Sequence, residues 1–369
     1  MTTGFDVIVI GGGAVGAACT WELARTGRSV EFLEPDVEEG PAWRAAAGML
    51  APEVEARDAD DPMVALGVAG RDRIGVLAER LRESTGLDIG FWRDGVAHIA
   101  FDEADEDRLR AQVAHQRQQT LHVDWLDAEE ARNRWPWLGP ARGALWAPAG
   151  GGVDPRRLVE ALRADAIRLG ATHLRERAVA IEHHGDRVAA VVGSQRHAAR
   201  DIVVAAGAWS ALLDGLPRPL AVAPVRGEMA ALPAPAGLGR AIVYGKGAYL
   251  VGHGDEVTVG STMEYAGYKS EVTAAGLARI FAGASQLCPA LARLPVTRTW
   301  AGLRPVSADG LPLLGPDPTV AGLWYAVGHG RNGILLSGIT GMLIRQLIAG
   351  EAAAVEDLSP YNPGRFWQW

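Results

Sequence analysis

A chain of 369 residues, 48% hydrophobic and 22% charged, carries enough apolar surface for two cores, which excludes a disordered or low-complexity polymer. Its formal net charge of −8, with no basic run longer than a pair, excludes a surface built for phosphate backbones, so no nucleic-acid partner is expected. Two cysteines, Cys19 and Cys288, exclude a disulfide framework and fit a reducing cytoplasm, and no uninterrupted apolar stretch of membrane-spanning length predicts a membrane helix.

Residues 5–10 read as an apolar strand that runs into Gly11-Gly12-Gly13-Ala14-Val15-Gly16. Asp6, the three glycines and the lack of a basic leader make this a buried parallel strand and not a signal peptide. The G-x-G-x-x-G pattern opens a helix over 14–25, with Val15, Ala18, Cys19 and Leu23 near helical spacing and Gly27 as its C-cap. Val30, Phe32 and Leu33 form a second strand ending at Glu34. This is the arrangement that binds an adenine dinucleotide. Gly11 makes the turn, Gly13 lets backbone approach a pyrophosphate, Gly16 lets helix lie on strand, and the Glu34 carboxylate accepts ribose hydroxyls. Phosphates rest on the unpaired N–H groups of the helix start.

Further along, helices are predicted over 71–84 and 102–119, a strand over 95–101, and irregular chain over 134–140 because Pro136 and Pro140 break pairing. Asp154 as N-cap and Pro155 at the first position start a helix over 156–169. Strands follow at 176–182, 187–192 and 201–205, the last ending at the small-residue turn Ala206-Gly207-Ala208-Trp209, where Ala206, Gly207 and Trp209 can pass close to a cofactor. His183-His184 before Gly185-Asp186 reads as a polar hairpin turn, and no metal site is expected. Residues 221–302 read as a mostly antiparallel sheet with strands at 241–244, 248–251 and 257–260, and 232–239 as a loop. From Trp324 the pattern returns to strand, glycine turn 328–333 and helix 334–348, whose N-terminus points back at the cofactor. The tryptophans, Trp135, Trp137, Trp367 and Trp369 among them, read as core and interface residues.

Four segments carry more than a generic dinucleotide pattern: the N-terminal fingerprint; Ala45-Ala46-Ala47-Gly48-Met49-Leu50-Ala51-Pro52-Glu53; Trp300-Ala301-Gly302-Leu303-Arg304-Pro305 with Asp309-Gly310-Leu311-Pro312; and Gly328-His329-Gly330-Arg331-Asn332-Gly333-Ile334-Leu335-Leu336. In order and spacing the chain resembles the FAD-dependent amine oxidases of the D-amino-acid oxidase superfamily, and among them the glycine oxidase, or ThiO, type of thiamine biosynthesis. The resemblance implies an α/β chain, α+β overall. A discontinuous Rossmann-like FAD-binding domain (1–90, 150–220 and 303–369) would join a mostly antiparallel substrate domain (91–149 and 221–302). It implies non-covalent FAD, a small amino acid and O₂ as reactants, an imine and H₂O₂ as products, and a homo-oligomer, in the type named a homotetramer.

Position by position, the resemblance assigns Ala14, Val15, Glu34 and Pro35 to the ADP half of FAD and Ala47, Gly48 and Met49 to the side of the flavin ring. Val179 would meet the adenine through its backbone, and His329, Gly330, Arg331, Asn332, Gly333, Ile334 and Leu335 would hold the pyrimidine edge of the ring. Arg304 and Arg331 match substrate-carboxylate positions and Tyr249 an active-site tyrosine, with Met263 near the pocket. The family commonly offers hydroxyl residues to the pyrophosphate where this chain has Pro41-Ala42-Trp43-Arg44, so Ala42, Trp43 and Arg44 stand at that position, with Arg44 able to supply positive charge.

The chemistry fits these residue types. A guanidinium holds a carboxylate by two parallel N–H···O bonds, fixing its direction as well as its place. Arg304 precedes Pro305, which forces it into extended backbone and off any solvent-facing helix. Oxidation of an amine at carbon needs orientation more than a dedicated acid or base. Three alternatives stay open at this level: a sarcosine oxidase-like enzyme or D-amino-acid dehydrogenase of the same superfamily, a nicotinamide-dependent dehydrogenase, and a non-catalytic FAD-binding module.

Overall fold

The computed structural model describes residues 4–56 and 61–366; Trp367 and Trp369 lie outside the described residues. Two sheets organise the chain. In the first, the strands Thr172–Leu174, Val30–Leu33, Phe5–Ile10 and Arg196–Val204 lie side by side in parallel, and Leu323–Val327 joins them parallel to Arg196–Val204. The hairpin Ala180–His184 and Arg187–Val192 and the strand Leu313–Pro316 extend the sheet antiparallel. Strands covered on both faces need no alternation, which is why Val7, Ile8, Val9 and Ile10 are all buried.

Helices cover this sheet. Ala14–Ala24 is buried at ten of its eleven residues and packs against Pro155–Arg168 and Gly333–Ala349. Asp154 caps Pro155–Arg168 as its sequence requires, accepting the N–H groups of Arg156 and Arg157 at 2.9 and 3.1 Å. The segment Gly330–Ala349 is long and apolar enough to cross a membrane by length and composition. It lies instead as a core helix against Ala14–Ala24 and Met63–Thr85, with Ser337 and Thr340 fully buried.

The second sheet has nine strands in the order Gly40–Pro41, Arg298–Ser307, Val222–Pro233, Glu256–Gly260, Ala248–Gly252, Ile242–Gly245, Val96–Ala100, Gly143–Ala147 and Asp124–Asp127. Only the first pair and the pair Ile242–Gly245 with Val96–Ala100 are parallel. The expected border at 302/303 falls inside Arg298–Ser307, which stays paired with Val222–Pro233 to Ser307. The expected strand over 176–182 splits, residues 175–179 being irregular between Thr172–Leu174 and Ala180–His184. Within 221–302 the sheet is interrupted by a helix, Ala274–Leu287, capped by the Thr273 side chain on the Gly276 N–H at 3.1 Å. Cys19 and Cys288 are both buried thiols, and burial raises the pKa of each.

Candidate active site

A cavity of about 730 Å³ opens between the two sheets. The glycine-rich turn lines one end and Tyr249, Arg304 and Met263 the other.

At the second sheet Arg304 reaches across Gly227 of the neighbouring strand to Ser261, just past Glu256–Gly260, which pairs with the strand of Tyr249. Arg304 donates through one terminal nitrogen to the Thr262 carbonyl at 2.9 Å and through the other to the Ser261 Oγ at 2.7 Å. Tyr249, nearly buried, sets its hydroxyl against Ser261 and the guanidinium. Burial raises the tyrosine pKa against the opposing pull of Arg304, and burial lowers that of Arg304 while Tyr249 supports its charge. Two glycines make the arrangement possible. A Cβ on Gly227 would lie 2.0 Å from an Arg304 terminal nitrogen, and one on Gly260 would lie 2.5 Å from the Tyr249 hydroxyl.

The segment that anchors Arg304 is itself held. The Glu228 N–H donates to Thr262 Oγ1 at 3.0 Å, Arg226 and Glu264 exchange backbone bonds at 2.8 and 3.0 Å, and the Arg226 guanidinium bonds the Glu264 carboxylate at 2.7 Å. Glu228 is fully buried, its carboxylate accepting the Thr273 N–H and hydroxyl at 3.1 and 3.0 Å.

Arg331 lies on the same cavity but is engaged elsewhere. Its guanidinium pairs with the Glu55 carboxylate at 3.3 Å and donates to the Glu55 carbonyl at 3.0 Å, and Glu55 raises its pKa. Glu55 also accepts the Tyr244 hydroxyl, whose pKa burial and Glu55 push well up. Glu55, Tyr244 and the cavity-lining His98 were not read as site residues from sequence. Burial lowers the His98 pKa to about 4, so its ring is neutral near pH 7.

At the other end Gly11, Gly13, Ala14, Val15, Glu34, Pro35, Ala42, Trp43, Ala47, Gly48, Met49, Ala206, Gly207, Trp209, Gly330, Gly333 and Ile334 all line the cavity, as expected for a cofactor cleft. Four expectations need correction. Arg44 does not line the cavity: its guanidinium pairs with Glu38 at 3.2 Å and lies over the Trp43 ring. Val179 lines the cavity with a half-exposed side chain, but its N–H is bonded to the Val192 carbonyl at 2.8 Å and its carbonyl accepts from Asp214 at 3.0 Å. Its neighbour Ala178, also on the cavity, has no protein partner for its backbone N–H or C=O among the described residues. Asn332 and Leu335 do not line the cavity; Leu335 is a core residue, against which a Cβ on Gly67 or Gly70 would clash or crowd. His329 does line it, with its ring turned to Thr340 Oγ1 at 3.0 Å, and burial lowers its pKa to about 3.

Residues 6–347 match the family model described as FAD dependent oxidoreductase. The chain belongs to the FAD-dependent oxidoreductase family. This oxidoreductase is 35% identical to the glycine oxidase of Geobacillus kaustophilus, over 98% of this chain and 97% of that one. The crystal structure of glycine oxidase from that organism superimposes with a TM-score of 0.91 at 34% identity, covering 98% of each chain. It is also 35% identical over 99% of its length to a bifunctional ThiO/ThiG protein of Synechocystis, of which it spans 55%. An iminodiacetate oxidase from Chelativorans sp. BNC1 matches with a TM-score of 0.87 at 30% identity, covering 97% of this chain and 98% of that one.

The residues present fit FAD, the cofactor of the family. Gly11 has φ +101°, a conformation glycine alone adopts readily, and a Cβ on it would lie 2.5 Å from the Ala205 carbonyl oxygen. A Cβ on Gly16 would lie 1.9 Å from the Gly11 carbonyl oxygen, so the helix lies on its strand because that residue is glycine. Ala14–Ala24 begins with no side-chain cap and no acid in its first turn, which leaves its N–H groups to an anion. Glu34, buried at the strand end, already holds the turn by accepting the Gly12 N–H at 2.7 Å.

Proposed function

We propose that this oxidoreductase oxidises glycine, and with it sarcosine and small D-amino acids, at the Cα–N bond. The amine loses a hydride from Cα and a proton from nitrogen to become an imine, which water converts to the 2-oxo acid and ammonia, or methylamine from sarcosine; O₂ takes the two electrons and two protons to become H₂O₂. The observation that carries this reading is Arg304, a half-buried guanidinium at the cavity wall with Ser261 and Thr262 beneath it and Tyr249 beside it. Relatives bearing the name glycine oxidase over nearly the whole chain support it.

When bound, FAD supplies the acceptor for the hydride and the route of its electrons to O₂. Gly11, Gly13, Ala14 and Val15 would hold its diphosphate side, Glu34 and Ala178 its adenosine, and Ala47, Gly48, Met49 and the turn Gly330–Asn332 its ring. Arg304 would grip the substrate carboxylate and Tyr249 would donate to it, together fixing where Cα points. Neither histidine on the cavity is a base for the amine: burial holds the His98 pKa to about 4, too weak to draw a proton from an ammonium group, and His329 is turned to Thr340. The amine proton is therefore lost without a dedicated side chain, and selection of the neutral amine falls to the solution pH.

Substrate size follows from the Glu55 to Arg331 pair. With Arg331 committed to Glu55, one guanidinium remains for one carboxylate, which favours glycine over a dicarboxylate such as iminodiacetate. We further propose a homo-oligomer, a cytoplasmic setting and a role in forming the thiazole of thiamine, this last supported by the match to the ThiO/ThiG protein. The domain division reads best with the sheet border after Ser307.

Anaerobic mixing of the flavin-loaded protein with glycine, sarcosine, D-alanine, D-proline and iminodiacetate, followed at the oxidised flavin band, tests the proposal. Glycine should bleach the band, and admission of air should restore it with one H₂O₂ per turnover. Bleaching without peroxide would replace the oxidase by a dehydrogenase, and a band that no amine bleaches would replace the enzyme by a binding module.

A further inference from the structure

No serine or threonine stands between Gly40 and Ala45 to meet a diphosphate, yet a polar group is aimed there. Trp43 is 8% exposed and lines the cavity. A Cβ on Gly13 would lie 3.0 Å from the Trp43 Cδ1 and 3.6 Å from its Nε1, so the N–H edge of the indole stands over the glycine at which backbone approaches a pyrophosphate. Among the described residues this Nε1–H has no acceptor, and it is open to the cavity that the ring lines.

The surroundings make it a strong donor. The Arg44 guanidinium lies 4.4 Å and the Arg163 guanidinium 5.3 Å from the Trp43 ring centroid, and two cations beside one ring draw charge from its N–H. Arg163 also locks the turn in place, donating to the Gly12 carbonyl at 2.8 Å and to Asp36 at 2.7 Å. The helix start at Ala14, without a capping side chain or an acid, faces the same space.

We propose that the Trp43 indole N–H donates a hydrogen bond to the FAD diphosphate, serving where a hydroxyl side chain is missing. Arg44 and Arg163 then act through the ring as positioning residues and not as phosphate ligands. The proposal rests on FAD being the cofactor, and its test separates the two. Trp43→Phe keeps an aromatic face for both cations and removes the donor together with the five-membered half of the indole. Its Kd for FAD, measured by ultrafiltration of the reconstituted protein, should rise on the order of 10- to 100-fold, as expected for one charge-assisted bond. Its Kd for ADP, titrated calorimetrically into the flavin-free full chain, should rise by a similar factor while that for adenosine stays unchanged. In the wild-type protein with ¹⁵N-labelled indoles, the signal missing from Trp43→Phe should move downfield when FAD is added. An FAD Kd within twofold of wild type, an adenosine Kd that rises as much as that for ADP, or an indole signal that FAD leaves in place would overturn the assignment. Should the variant not fold, the wild-type Trp43 indole signal, assigned instead through its backbone connectivity, decides. A wild-type chain that takes up no FAD would remove the cofactor assignment itself.

Discussion

Gly227→Ala isolates the placement of Arg304 without touching the arginine. The strand residue does not have a positive φ, so alanine is tolerated by the backbone, but its methyl carbon would lie 2.0 Å from one terminal nitrogen of Arg304 and 2.3 Å from the central carbon. The guanidinium must move off the glycine, and its bonds to Ser261 Oγ and the Thr262 carbonyl cannot both survive the shift. If one charge-assisted bond to the substrate carboxylate is lost as a result, the cost is ~1.5–3 kcal/mol, or roughly 10- to 150-fold in kcat/KM for glycine at 1.4 kcal/mol per decade. The assay is initial-rate peroxide formation across glycine concentrations, with the flavin spectrum and Tm confirming an intact, loaded protein. A methyl group that merely blocked the cavity would also slow the enzyme, and the double variant with Arg304→Ala separates the cases. Acting through Arg304, Gly227→Ala adds nothing to Arg304→Ala. Full additivity, or unchanged kcat/KM in the single variant, refutes the reasoning.

Glu55→Gln should release Arg331 to a second carboxylate and raise kcat/KM for iminodiacetate relative to glycine by about fivefold or more; an unchanged ratio from paired initial rates would show that Arg331 does not face the substrate. His329, held neutral by burial with its pKa at about 3 against an ordinary value near 6.5, makes the folded state bind fewer protons than the unfolded chain between those values. Stability therefore falls as pH drops through that window, by up to ~1.4 kcal/mol per unit from this residue. Urea unfolding of His329→Gln between pH 4 and 6 should show a slope shallower by about one proton, and a slope equal to wild type would place the loss elsewhere.

The local parts of the fold were legible because each is written within one or two dozen residues. The glycine fingerprint, the acid at position 34 and the Asp154-Pro155 helix start all declare themselves by spacing. The helix Ala274–Leu287 was equally local, with a Thr273 cap and Leu277, Ile280, Ala284 and Leu287 in helical register, but its small residues and two glycines mask the pattern. Strand order in the second sheet was not legible, since Val96–Ala100 and Ile242–Gly245 pair across more than a hundred residues of chain. At Val179 the sequence could not show that both backbone groups are taken by Val192 and Asp214 while those of Ala178 have no protein partner among the described residues. Arg44 offered charge at that spacing, but its guanidinium pairs with Glu38 and lies over the Trp43 ring, and it is Trp43 that lines the cavity. Glu55 and Tyr244 met only in space, so the partner of Arg331 had no sequence signal.

Gly40 and Pro41 pair with Gly302 and Leu303, one rung from Arg304 and two residues before Trp43. The proposed cofactor clamp and the proposed substrate clamp thus hang from a single joint at the edge of the second sheet. Loosening that joint would detune both at once, so redesign toward larger amines belongs at Glu55 and Tyr244, which bond each other and not Arg304, where the pocket can be reshaped while its alignment is left alone.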